Sequence, residues 1–405
     1  MSAIALFNSA FTLEEEIRTQ LAEATGFEVI EDEDLINEAV SQFSLDRDKV
    51  ERCLYGPSSV FNRFTLERES VAACLKLVMA QYLSGDRRIF SGLLTHLIPS
   101  SAAQVLKVGV IDEKSSRIHR AVEEGLSEKN AEKLIKKKDA MVGDWLSFLL
   151  KKTTNDPGLY DIFFPLGNKG APEVVQLILE NYRRPPVLIT EQTKQAVTDM
   201  ALAAAVEKSL LDRGYTNEVQ CSEDNITLLV NKSVHNFSRL AESLTAIAGN
   251  VPGVRGVKVA AGKDYRVSVY RDQEFSLPPK VLLVDDEQEF VRTLSDRLNT
   301  RSYGSFPVFD GEQAMDLLSR DTPDVMVLDL KMPGMQGGEV LKKTKEAKPE
   351  VEVIILTGHG TEEDKQQCLE QGAYAYLQKP VDISQLMAII DEAYRKKAQA
   401  KVASD

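Results

Sequence analysis

The sequence predicts an α/β protein. A doubly wound, five-stranded parallel sheet is expected at the C-terminus, an α/β domain at the N-terminus, and a small α+β domain between them. Three observations predict this. From Lys280 onward, apolar runs alternate with helical segments five times, the pattern of a parallel sheet covered on both faces. Two proline pairs, Pro185-Pro186 and Pro278-Pro279, punctuate the chain, and such pairs favour stiff extended connections. The 405 residues are 43% hydrophobic and 27% charged, enough apolar material for more than one core. The expected modules are residues 1–183, 187–275 and 280–398.

The first module opens on an apolar strand, then a helix whose start carries Thr12-x-x-Glu15, the spacing of a capping box. A phosphate-binding loop at this place needs glycines, so that backbone N–H groups can wrap the phosphates, and usually a lysine. The segment Phe7-Asn8-Ser9-Ala10-Phe11-Thr12-Leu13-Glu14-Glu15-Glu16 has neither, and three consecutive glutamates repel a triphosphate. Arg117 and Arg120, three apart, fall on one helical face. They suit either an anion or pairing with Glu123 and Glu124. The lysine run 136–138 reads as a solvated helix face. His96, His119 and His235 have no ligand spacing and read as structural or exposed.

This stretch resembles the cytidylate-kinase-like branch of the nucleoside monophosphate kinases. The resemblance runs through LAEATGFEVIEDEDLINEA, RIFSGLL, VGVIDEKSSRIHRAVEEGLSEKNAEKLIKKKDA and NDPGLYDIFF. It implies a P-loop-kinase-like α/β fold and places Arg117 and Arg120 where the family clamps phosphates with its lid. The chain departs from the family at the glycine loop and at Val142, where the family has an arginine. The module is therefore expected to be catalytically inactive.

In the middle module a helix is expected over 198–213, a strand over 226–230, a helix over 234–248 and a strand over 254–259. The turn Val251-Pro252-Gly253-Val254 and the strand after it resemble the BON domain family. The family's glycine after the first of these strands is replaced by Leu229-Val230-Asn231.

In the last module strands are expected over 281–284, 305–309, 325–328, 353–356 and 373–377. Helices are expected over 288–300, 311–319, 337–347, 361–371 and 383–396. Ligands bind beyond the carboxyl ends of such strands. Asp285 and Asp286 follow the first strand, Asp329 the third, Thr357 the fourth and Lys379 the fifth. Three converging carboxylates repel one another unless a hard cation sits among them, and Mg²⁺ is the natural occupant. Asp329 then serves as a carboxylate nucleophile that becomes an aspartyl phosphate. The Lys379 ammonium and the Thr357 hydroxyl hold the developing charge, and Gly358 leaves the path of the phosphoryl group open. Singly, each residue has an ordinary reading as a helix cap, a turn residue or a solvated lysine. Together, in order, they point to phosphoryl transfer.

The segments VLLVDDE, VLDLKMPGM, ILTGHG and AYLQKP closely resemble the response-regulator receiver family. The resemblance implies a flavodoxin-like sheet, Tyr376 as a switch aromatic and the Lys331 backbone carbonyl as a further metal contact. It implies a cognate histidine kinase or phosphotransfer protein as partner. The output partner is unnamed, and self-association through residues 361–396 is left open. The family usually has Asp-Gly after MPGM, whereas this chain has Gln336-Gly337.

A formal net charge of −13 argues against bulk nucleic acid as the partner, and there is no helix-turn-helix signal. Cys53, Cys74, Cys221 and Cys368 lie far apart, as in a reduced chain. No apolar run reaches membrane-spanning length and the start has no basic stretch, so a cytoplasmic location is expected. The sequence therefore reads as a response regulator whose N-terminal modules form the output. A nucleotide kinase gated by the receiver, and a stand-alone phosphate sink or relay, are the alternatives.

Overall fold

Two parallel sheets dominate the structure, a computed structural model that describes residues 3–56, 59–154, 156–183, 190–231, 237–263, 279–301, 303–358 and 360–402. Pro185, Pro186, Pro278 and His235 lie outside the described residues. The chain divides into two compact units, Met1–Pro57 with Arg68–Asp272, and Ser58–Glu67 with Gln273–Asp405.

The first unit starts with β1 (Ala3–Asn8), α1 (Glu14–Thr25), β2 (Glu28–Glu31), α2 (Asp32–Phe43) and α3 (Arg47–Tyr55). Beyond the short α4 (Asn62–Thr65), which belongs to the second unit, it continues with α5 (Glu67–Leu83), β3 (Arg88–Ser91), β4 (Val105–Ile111), α6 (Lys114–Glu123), α7 (Glu128–Leu150), β5 (Ile162–Pro165) and α8 (Ala171–Tyr182). Its five strands are parallel in the order β2-β3-β1-β4-β5. β1 is apolar along nearly its whole length because both of its faces are covered. Ile4 and Leu6 pack with Ile17 and Leu21 of α1 and Ile178 of α8. Ala3 and Ala5 pack on the other face with Leu75 and Met79 of α5.

The same unit contains α9 (Glu191–Leu211), β6 (Glu218–Ser222), β7 (Asn225–Val230), α10 (Phe237–Gly249) and β8 (Gly256–Ala261). β6 is antiparallel and β8 parallel to β7. α9 serves two cores: Val197, Met200 and Ala201 pack with α2 and α5, whereas Leu202, Val206 and Leu210 pack on the small sheet. Two details differ from the sequence expectation. α9 begins at Glu191 rather than 198, capped by the Thr190 hydroxyl, which accepts from the Thr193 N–H at 3.2 Å. β6 was not expected, because this half-exposed edge strand buries none of its side chains fully.

The second unit holds β9 (Lys280–Val284), α11 (Gln288–Asn299), β10 (Gly304–Val308), α12 (Gly311–Arg320), β11 (Val325–Leu328), α13 (Gly337–Ala347), β12 (Glu352–Thr357), α14 (Glu362–Glu370), β13 (Ala375–Gln378) and α15 (Ile383–Val402). The order β10-β9-β11-β12-β13 is the 2-1-3-4-5 arrangement of flavodoxin-like doubly wound sheets. Alternation along β9 sends Val281 and Leu283 toward α11 and α15, and Leu282 and Val284 toward α12 and α13. The strand order reverses between β9 and β11, so a crevice opens at their carboxyl ends. No helix among the described residues is long and apolar enough to cross a membrane.

Candidate functional site

Asp285 and Asp286 come directly off β9, and Asp329 directly off β11, so the topological switch point brings the three acids together. Register fixes them: the Asp329 N–H donates to the Val284 carbonyl at 2.9 Å, and the Asp285 N–H to the Val308 carbonyl at 3.2 Å. One carboxylate oxygen from each acid lies within 4.8 Å of the others. Asp285 and Asp329 are buried, whereas Asp286 is exposed.

Lys379, just past β13, reaches back across this crevice. Its ammonium donates to Asp285 Oδ2 at 2.6 Å and to Glu287 Oε1 at 3.0 Å, and lies 4.6 Å from the centre of the Phe290 ring. Burial works against the Lys379 charge, but the hydrogen bonds to Asp285 and Glu287 outweigh it and hold the pKa above its ordinary value. Burial pushes the Asp285 carboxyl up, while Lys379 and the Glu287 N–H pull it partly back. One lysine does not neutralise the cluster. Among the described residues, Asp329 Oδ1 is buried without a hydrogen-bond partner. A buried carboxylate oxygen with no donor is costly and calls for an ion or a ligand. An all-oxygen set of three carboxylates is the donor chemistry of Mg²⁺ or Ca²⁺. The residues therefore fit a hard divalent cation.

Thr357 ends β12 fully buried, and its carbonyl accepts from the Lys379 N–H at 2.9 Å. Lys331 is exposed, two residues beyond Asp329. Tyr376 is half-buried on β13, its hydroxyl tucked against Gly360 and, among the described residues, without a partner. A methyl built on Gly358 meets nothing nearer than Lys379 Cδ at 4.0 Å, so packing alone does not require glycine there. Two other glycines carry demands that sequence reasoning missed. A methyl on Gly360 would overlap the Tyr376 hydroxyl. One on Gly337 would overlap the Asp329 carbonyl oxygen and lie 2.7 Å from Leu330 Cα. Glu287 was also missed, although its place after Asp285-Asp286 is a local signal.

The loop after β1 in the first unit corrects one expectation. Thr12 does not cap α1. Its hydroxyl donates to the Ser9 carbonyl at 2.7 Å, and the N-cap is Leu13 in the left-handed region, with no side-chain cap. Arg117 and Arg120 explain this loop, and neither pairs with Glu123 or Glu124. Arg117 Nε donates to the Ala10 carbonyl at 2.8 Å, and its two terminal nitrogens to Asp139 at 3.0 and 2.6 Å. Arg120 Nε donates to the Phe11 carbonyl at 2.6 Å, and Arg120 also pairs with Asp112. Both guanidiniums are thus committed to carbonyls of the loop and to neighbouring acids, while Glu14, Glu15 and Glu16 fill the first turn of α1. Lysines 136–138 are exposed on α7.

The remaining histidines divide as expected. His96 is buried between the Leu93 carbonyl at 2.8 Å and the Tyr160 hydroxyl at 2.9 Å, and burial drives its pKa down to about 4. His119 is exposed beside Glu123.

Comparison with known proteins gives two family matches. The family described as response regulator receiver domain matches residues 281–391, and the cytidylate kinase-like family matches residues 4–167. Sporulation initiation phosphotransferase F of Bacillus subtilis (strain 168) is 36% identical over 107 residues, which are 26% of this chain and 86% of that protein. The DNA-binding transcriptional regulator NtrC of Klebsiella pneumoniae is 38% identical over 112 residues, 27% of this chain but 24% of that regulator. The solved receiver domain of Francisella response regulator 1452 is 30% identical, with 29% of this chain and 98% of that domain covered and a TM-score of 0.28.

Proposed function

Because this chain belongs to the response regulator receiver family, we propose that it is a phosphorelay response regulator whose Asp329 accepts a phosphoryl group from a histidine kinase or phosphotransfer protein. The observation that carries the reading is the convergence of Asp285, Asp286 and Asp329 at one switch point, with Asp329 Oδ1 buried and unpartnered among the described residues.

In this reading Asp285, Asp286, Asp329 and the Lys331 carbonyl would hold Mg²⁺, which would supply positive charge to the phosphoryl oxygens. An Asp329 carboxylate oxygen attacks phosphorus, the bond from phosphorus to the donor breaks, and the donor keeps that electron pair. Lys379, already charged and anchored by Asp285 and Glu287, swings its third donor toward the phosphoryl oxygens. The buried Thr357 hydroxyl bonds one of those oxygens. Its loop then moves, and Tyr376 repositions beside it. The face affected is residues 361–396, which contacts the output partner or a second copy.

We further propose three functional modules, 1–183, 187–275 and 280–398, with a small BON-like domain in the middle and a cytoplasmic location. The first module acts as a non-catalytic binding domain, a reading supported by the glycine-free loop and by two arginines already bound to it. Calorimetry is expected to find no ATP binding tighter than about millimolar, roughly −4 kcal/mol. Turnover with ATP and CMP is expected at background. A saturable rate that survives repurification would instead favour a kinase gated by the receiver.

The test of the main reading uses a small phosphodonor such as acetyl phosphate. The full chain is expected to gain one base-labile phosphoryl group with Mg²⁺ and none with a chelator. Hydrogen exchange across 361–396 is expected to change on labelling. Labelling that ignores the chelator contradicts the metal assignment. An unchanged exchange pattern in labelled protein contradicts signalling through this face and leaves the phosphate-sink reading.

A further inference from the structure

The second unit contains a piece of chain that sequence order assigns elsewhere. Residues 58–67 interrupt the first unit between α3 and α5, yet they belong to the second unit. Phe61 is fully buried there, in one core with Leu282, Val284, Val308, Ala314 and Leu318. Its ring meets the Phe306 ring edge to face, with centroids 6.4 Å apart. The contact is locked by polar groups at both ends of the segment. The Ser59 hydroxyl donates to Asp321, and also accepts from the Phe61 N–H at 3.0 Å. Lys280 Nζ lies 2.5 Å from Glu67 Oε1 and 3.8 Å from Asp321 Oδ1, with all three side chains nearly buried. A buried lysine between two carboxylates is costly to break by removing one partner.

The place where this segment seats matters. It lies against β10, an edge strand, and the carbonyl of Val308 at the end of β10 accepts from the N–H of Asp285, the first acid of the site. Phe61 therefore packs on the strand that helps to hold Asp285. At its two ends the segment is covalently continuous with α3 and α5 of the first unit.

We propose that residues 59–67 form a docking element in cis, seated on the β10–α12 surface of the receiver, whose seating is linked to phosphorylation of Asp329. This deepens the proposed function and rests on it. The link gives the receiver an output route through its own chain, distinct from the 361–396 face. Phosphorylation shifts how firmly Phe61 is held, and α3 and α5 feel the change through the backbone. Coupling free energies in such devices correspond to about 5- to 150-fold changes in an equilibrium.

Hydrogen exchange on the full chain tests this, with and without acetyl phosphate and Mg²⁺. In unlabelled wild type the amides of Thr65 and Leu66, bonded to the Phe61 and Asn62 carbonyls, are expected to exchange at least about tenfold more slowly than in Phe61→Ala. Phe61→Leu should keep most of that protection. Glu67→Gln keeps the shape of the segment and decides the matter where Phe61→Ala fails to fold: it should speed exchange in 59–66 without unfolding 352–357. On labelling, protection of 59–66 in wild type should change about fivefold or more. Equal protection in wild type and both weakened variants overturns the docking. Docked protein whose 59–66 protection is the same labelled and unlabelled overturns the link. Absence of any label overturns the link together with the proposed function, while the unlabelled comparison still decides the docking.

Discussion

Replacing Asp329 with asparagine is expected to abolish phosphoryl labelling, by at least about a hundredfold, or ~2.7 kcal/mol at 1.36 kcal/mol per decade. The amide keeps the size of the side chain but loses the anionic oxygen that attacks phosphorus. It also removes one of three carboxylates that crowd within 4.8 Å, so the fold should not suffer. Like charges in one site raise each other's cost, and Asp329 already adds to the upward push on Asp285. The melting temperature of Asp329→Asn is therefore expected to equal or exceed that of wild type. The pair of results matters. Lost labelling in an unfolded variant would say nothing about chemistry, whereas lost labelling in an equally stable one isolates the carboxylate. A variant that labels as well as wild type means that another residue is the acceptor.

The second large effect is structural and comes from Gly337→Ala. The first residue of α13 sits so close to the chain just after Asp329 that a methyl overlaps the Asp329 carbonyl oxygen and comes within 2.7 Å of Leu330 Cα. These are backbone atoms at the end of a central strand, and they cannot turn aside as a flexible side chain can. The helix or the strand end must move, which costs about 1–3 kcal/mol for overpacking in a core and more when backbone is displaced. Denaturant unfolding should show this loss in the second unit. Labelling should fall as well, because the displaced atoms carry Asp329. Gly338→Ala is the matched control, since a methyl there meets nothing within 4 Å among the described residues. Two variants of equal stability would mean that the close approach is absent in solution.

The receiver sheet was legible because its strands are buried on both faces and so read as continuous apolar runs. The runs at 281–284 and 325–328 fall on β9 and β11, and once the strands are placed, the residues at their carboxyl ends form the site without further information. What local pattern could not supply was anything settled by a distant partner. Thr12-x-x-Glu15 has the spacing of a capping box, but Arg117 and Arg120, a hundred residues on, draw the Ala10 and Phe11 carbonyls into a loop that leaves Leu13 at the cap. Phe61 looks like one aromatic among several, and nothing near it names Phe306. Gly337 falls at the start of the helix expected over 337–347, and nothing in that pattern shows that the approach of the Asp329 backbone requires a glycine there. β6 is a half-exposed edge strand, and its period-2 signal rests on little more than Val219 and Cys221.

The most direct test of the central claim is to locate the phosphoryl group itself. Protein labelled with acetyl phosphate and Mg²⁺ is reduced with borohydride, which converts an acyl phosphate on aspartate into homoserine, and is then digested and sequenced by mass spectrometry. The account predicts homoserine at position 329 and at no other aspartate of the cluster, with none in a chelator-treated sample. Homoserine at Asp285 or Asp286, or a phosphoryl group that survives base on a hydroxyl residue, would contradict it.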